Sequence, residues 1–100
     1  MIVKEKSDLK NWGDFVKVVI DIEKKILSIG CELHIDCADD LVTDGSERKN
    51  LWGANIYPIE KKIDFISMIN IRPLDNNRSM EIQIPEIKEK VEGVIKELLF

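Results

Sequence analysis

The sequence predicts a single-domain α+β protein of two layers. Four main antiparallel strands, arranged as two hairpins, would form a sheet with one strongly apolar face. A C-terminal helix and one or two short helices would pack on that face. Three observations predict this. Several runs alternate apolar and polar residues, the period of a half-buried strand. Clusters of Gly, Pro, Asn, Asp and Lys separate the runs. Only the last segment carries a clear helical stripe.

The chain has 100 residues, 44% of them hydrophobic and 34% charged. That length makes one domain, residues 1–100, able to bury roughly two thirds of its unfolded surface. No run approaches the ~20 apolar residues of a membrane span, and no charged-then-apolar leader opens the chain. A net charge of −4 argues against a nucleic-acid module, which would show a basic stripe. The expectation is a soluble, cytoplasmic protein with neither membrane nor nucleic-acid partners. Abundant Ile, Lys and Glu suggest an AT-rich or heat-adapted source.

Ile2 to Lys6 reads as a short extended start. Ser7 is placed to cap a brief helical turn over Asp8–Trp12, stopped by Gly13. From Phe15 to Ile22, Val16, Val18, Ile20 and Ile22 alternate with Lys17, Val19 and Asp21. Glu23-Lys24-Lys25 makes a polar turn without a strong Asn-Gly signal. Leu27, Ile29, Cys31, Leu33 and Ile35 then supply a second strand. A short acidic helix is expected between Cys37 and Thr43, ending at Asp44-Gly45-Ser46.

Leu51 to Tyr57 is the third strand, closed by Pro58. After Glu60-Lys61-Lys62, the alternation of Ile63, Phe65, Ser67, Ile69 and Ile71 gives a fourth strand that Pro73 ends. Leu74 to Ser79 is a polar loop, and Met80 to Ile84 suits a short edge strand. Pro85 opens the last helix where its missing N–H does no harm. Its stripe is Ile87, Val91, Val94, Ile95 and Leu98. Glu86 with Lys90 and Glu92 with Lys96 are favourable i,i+4 pairs.

Chemistry is expected on the outer sheet face. Glu32, His34 and Asp36 would form a same-face strand row with spacings of roughly 6–7 Å. Carboxylate with imidazole suits a divalent metal such as Zn or Mn. The same row could hold a polar ligand, or simply be solvated. Asn55 and Asn70 sit inside otherwise apolar strands, where Asn is a poor fit. Either their amides bond nearby backbone or they line a site. Arg72 and Arg78 could clamp a small anionic ligand bidentately, or neutralise the acid-rich 32–47 segment.

That segment does not fit an EF-hand, since Val42 and Leu51 would fall at ligand positions. No nucleophile elbow or phosphate loop is present, so an enzyme is the less favoured reading and no catalytic residue is assigned. A small metal-dependent hydrolase would first need the metal row. Cys31 and Cys37, placed on one extended stretch, would lie too far apart for a disulfide at ~3.3 Å per residue. They are read as small buried hydrophobes in a reducing compartment. Trp52 shares its face with Ala54 and Ile56 and should be core. Leu51, Tyr57, Ile66 and Met68 would then point outward as an apolar patch suited to a homodimer or another protein partner.

Several segments resemble a known family. These are Gly30 ahead of Glu32-Leu33-His34, Asp44-Gly45-Ser46, Leu51-Trp52-Gly53 with Asn55-Ile56-Tyr57-Pro58, Ser67 to Pro73, and Asn77-Arg78-Ser79. In that order they resemble a small archaeal and bacterial family catalogued only as a domain of unknown function. Cys31 departs from the second glycine expected there, and the opening helix is shorter. The resemblance implies a compact α+β domain and transfers no catalytic role.

Overall fold

The computed structural model describes residues 1–100. It contains five antiparallel strands: β1 (Ile2–Val3), β2 (Val16–Asp21), β3 (Ile26–Ile29), β4 (Leu51–Tyr57) and β5 (Lys62–Asp64). Two helices, α1 (His34–Thr43) and α2 (Pro85–Leu99), complete the α+β fold. The sheet order is β1-β3-β2-β4-β5. No helix is long and apolar enough to cross a membrane.

Asp21 makes the β2–β3 hairpin. Its buried carboxylate accepts from the Glu23 and Lys24 N–H groups, both at 2.9 Å, and from Ser46 Oγ at 2.6 Å. With Lys25 in the left-handed region (φ 58°), these bonds replace the missing Asn-Gly signal. α2 starts at Pro85 and buries Val91, Val94, Ile95 and Leu98, as its stripe predicts. They pack on Val18, Ile20, Leu27, Ile29, Trp52, Ala54 and Ile56 in the main core. Lys96 pairs with Glu92 at 2.8 Å.

The α+β class and the antiparallel sheet match the sequence reading, while the layering differs. α1 lies on the opposite sheet face from α2, so the sheet is covered twice. Cys37, Ala38 and Leu41 of α1 form a second, smaller core with Val19, Ile26 and Leu51. Val19 and Leu51 occupy outward register positions, and they are apolar because α1 shields them. Leu51 is therefore core and not part of an open patch.

The second strand ends at Ile29, six residues earlier than the alternation suggests. Gly30 adopts φ 89°, which turns the chain off the sheet, and a Cβ there would collide with the Trp12 ring. The turn brings Cys31 and Cys37 to a Cα separation of 5.6 Å, and they form a disulfide. The expectation of two free, distant thiols is thus overturned, because the intervening segment is not extended. The fourth strand likewise stops at Asp64. Ser67 Oγ accepts from the Ile69 N–H at 3.3 Å and caps a 3-10 turn over Met68–Asn70. Met80–Ile84 forms no strand of its own, only an isolated bridge from Ile66 to Glu81.

Candidate functional site

β5 pairs only with Asn55, Ile56 and Tyr57, so the first half of β4 has no strand neighbour on its outer side. Side chains from the Ser67–Arg72 segment fill that edge. The Asn70 carboxamide accepts from Gly53 N–H at 2.8 Å and donates to Gly53 C=O at 2.9 Å, standing in for a strand's peptide group. Its second N–H reaches the Met80 carbonyl at 3.0 Å. Arg72 donates to the Leu51 and Arg48 carbonyls at 2.8 and 2.7 Å, and its guanidinium lies 4.3 Å from the Trp52 ring centroid. Burial lowers the Arg72 pKa, against the opposing pull of Asp75.

Asn70 and Arg72 are therefore structural, and neither is free to orient a ligand. Arg78 is exposed, with its backbone N–H donating to Gln83 Oε1 at 3.2 Å. Asn77, fully buried, donates to the Asn70, Ser79 and Glu81 carbonyls and accepts from Gln83 N–H, fixing the loop. The proposed anion clamp is not assembled. Of that set, Asn55 faces the larger recess described below, and Arg72 borders a small separate one of about 150 Å³.

The metal row is not assembled either. The chain enters α1 at His34, so Glu32, His34 and Asp36 share no strand face. Glu32 and Asp36 are exposed, whereas the His34 ring lies over β4 and its Nε2 contacts the Ala54 carbonyl at 2.8 Å. No group of three or more His, Cys, Asp or Glu side chains is placed to hold a metal ion.

What the fold builds instead is a groove of about 430 Å³ between the start of α1, β2 and the Ile66–Ile69 segment. Gly53 makes the close packing beneath it possible. A Cβ there would fall 2.5 Å from Ser67 Cβ and 3.2 Å from His34 Cδ2. Exposed Phe15, Leu33, Ile35, Met68 and Met80 converge on the groove. Lys17 and Asn55, direct partners in the β2–β4 register, line it as well. Asn55 is 8% exposed; its Nδ2 donates to the Ile66 carbonyl at 3.2 Å, and its Oδ1 is buried near the His34 imidazole with no donor on it while that ring is neutral.

The His34 imidazole is held below its ordinary value of 6.5. Burial is the main cause and Lys17 acts in the same direction, against the Ala54 carbonyl and the Asn55 carboxamide. At neutral pH the neutral ring donates from Nε2 to Ala54. Nδ1 is then an acceptor. The unfolded chain takes up its proton near 6.5 and the folded chain only at lower pH. This contribution to stability is complete above 6.5 and is lost as pH falls through the folded value. Wild type should therefore lose stability relative to His34→Gln in that window. Urea unfolding from about pH 8 to about pH 5 checks this, and parallel profiles would contradict it.

Ser67 Oγ accepts from the Ile69 N–H and caps the 3-10 turn, and His34 Nε2 is engaged by the Ala54 carbonyl. Sequence reasoning identified His34, Asn55, Ile66 and Met68 but missed Phe15, Lys17, Leu33, Ile35 and Met80. The signal for Phe15 and Lys17 was an aromatic and a cation beside outward strand positions.

Fold and groove together define a small α+β domain with a sheet covered on both faces and one apolar, polar-floored recess. The chain belongs to the family described as "Protein of unknown function (DUF5674)", whose model matches residues 3–98. No curated protein and no solved structure matches it.

Proposed function

We propose that this protein binds a small, mainly apolar molecule in the groove between α1, β2 and the Ile66–Ile69 segment. The observation that carries the reading is the unpartnered Asn55 Oδ1 on a recess walled by exposed hydrophobic side chains. A buried acceptor without a partner destabilises the fold by about 1–3 kcal/mol, and a ligand N–H or O–H would remove that penalty. Apolar recesses with a few convergent polar groups are the usual form of small-molecule sites. Two larger depressions, of about 690 and 660 Å³, lack an unpartnered buried group; the first mixes Lys and Asp with Leu9, Ile59, Leu99 and Phe100, and the second is lined mostly by Glu and Lys.

A titration with 4-phenylbutanamide, followed by amide NMR, tests the reading. Saturable shifts should be confined to residues 33–35, 55, 66–69 and 80. Met68 is 73% exposed, so Met68→Glu should weaken binding about tenfold without altering stability. Diffuse shifts, or none, would overturn the reading.

A second reading is a protein-docking surface, as a homodimer or with another partner. Leu74 is 99% exposed and, with Met68 and Ile71, adds apolar area along the loop beside the groove. Concentration-dependent association, lost in Leu74→Asp, would favour it. A cytoplasmic place and an archaeal source belong to the same proposal. An intracellular protein with a disulfide is the pattern of heat-adapted archaea and bacteria, in keeping with the Lys- and Glu-rich composition.

A further inference from the structure

The charge pattern of the groove narrows the ligand class, an inference that rests on the groove being a binding site. The chain carries 19 Asp and Glu residues, yet none of the groove's 11 lining residues is acidic. Lys17 is the one formally charged side chain among them at neutral pH. The ion pairs of the chain engage Lys4, Lys10, Arg48, Lys49, Arg72 and Lys96 and leave Lys17 free. Its Nζ is held 5.0 Å from the Phe15 ring centroid, and its backbone stands directly across from Asn55. An unpaired ammonium beside apolar walls, in an acid-rich chain, is complementary to an amphipathic anion.

We propose that the groove takes an apolar carboxylic acid, its hydrocarbon body against Leu33, Ile35, Met68 and Met80 and its carboxylate on Lys17 Nζ. A neighbouring hydroxyl or amide N–H on such an acid would meet Asn55 Oδ1. A free metal ion is excluded as the ligand by the same pattern, since the lining offers a cation and no carboxylate. Flat surface contact with anions alone is disfavoured as well, because most of the lining is hydrocarbon.

The experiment compares 4-phenylbutanoate with its neutral amide, 4-phenylbutanamide, by amide NMR on wild type and Lys17→Met. In wild type the acid should bind about fivefold more tightly than the amide, the effect of one partly exposed charge-assisted hydrogen bond. Lys17→Met keeps the hydrocarbon stem and should erase that preference, acid and amide then binding alike. Added salt should weaken acid binding only. Equal affinity of acid and amide in wild type would overturn the proposal and leave the apolar site standing. Shifts from the acid centred on Lys6, Lys10 and Lys61 would also overturn it. If neither probe binds, the groove reading fails and this inference falls with it.

Discussion

Asn70→Ala should lower stability by about 3 kcal/mol and the melting temperature by roughly 15 °C. The side chain is fully buried and makes three hydrogen bonds, two to Gly53 and one to Met80. Removal leaves the Gly53 N–H and C=O without these partners at a site that water reaches poorly, while the Met80 carbonyl keeps the Ser67 N–H. Each orphaned group costs about 1–3 kcal/mol, reduced where the cavity admits water. A 100-residue domain has only about 5–15 kcal/mol in total, so the loss is a large fraction. Asn70→Asp should be as damaging at neutral pH, since a carboxylate oxygen would face the Gly53 and Met80 carbonyls. Arg78→Ala, at an exposed side chain, serves as the control and should change little. Thermal melts of the three variants check this. A wild-type melt for Asn70→Ala would show that the β4 edge does not depend on the carboxamide.

Reduction of the Cys31–Cys37 bridge should lower stability by about 2 kcal/mol, the loop-closure value for a short ring. Sequence separation is six, so the entropic term is modest, but the bridge also anchors the start of α1. That helix has no side-chain N-cap at Leu33, and its first turn is joined to the preceding loop through Cys37. Leu33, His34 and Ile35 are part of the same bridged segment and line the groove. Reduction should therefore weaken probe binding as well as lower the melting temperature by about 10 °C. In Cys31→Ser a reductant should have no further effect. A reductant that shifts neither the wild-type melt nor its probe affinity would contradict this.

Much of the fold was legible because its signals are local. The β2 and β4 alternations, Pro85 at the start of α2 and the Val91–Leu98 stripe each specify an element from neighbouring residues alone. Failures came where a tertiary contact overrode a local pattern. The alternation from Leu27 through Ile35 continues past Ile29, but Gly30 in the left-handed region breaks the strand. His34 then falls on a helix and turns away from Glu32 and Asp36. Ile63 through Ile71 alternates equally well, yet the amide of Asn70 finds β4 backbone only if the chain leaves the sheet after Asp64. Asn70 and Asn77 look like site residues in a sequence because buried amides and ligand-binding amides share the same chemistry. Asn55 is the informative exception, since its Oδ1 stays unpartnered.

The groove's residues were harder to find because they come from five separate parts of the chain. Phe15 and Lys17 flank the start of β2, Leu33 and His34 open α1, and Asn55 and Met68 lie beyond it. No spacing rule links them. Their convergence depends on α1 crossing the sheet face opposite α2, and that placement follows from the turn at Gly30.

The central claim, that this recess is where an apolar molecule binds, is tested most directly by intermolecular NOEs from bound 4-phenylbutanamide. The account predicts NOEs from the probe's ring protons to the Met68 and Met80 methyl groups and to the Phe15 ring. NOEs instead to Leu9, Ile59 or Phe100, which line the larger depression just past the end of β4, would contradict it.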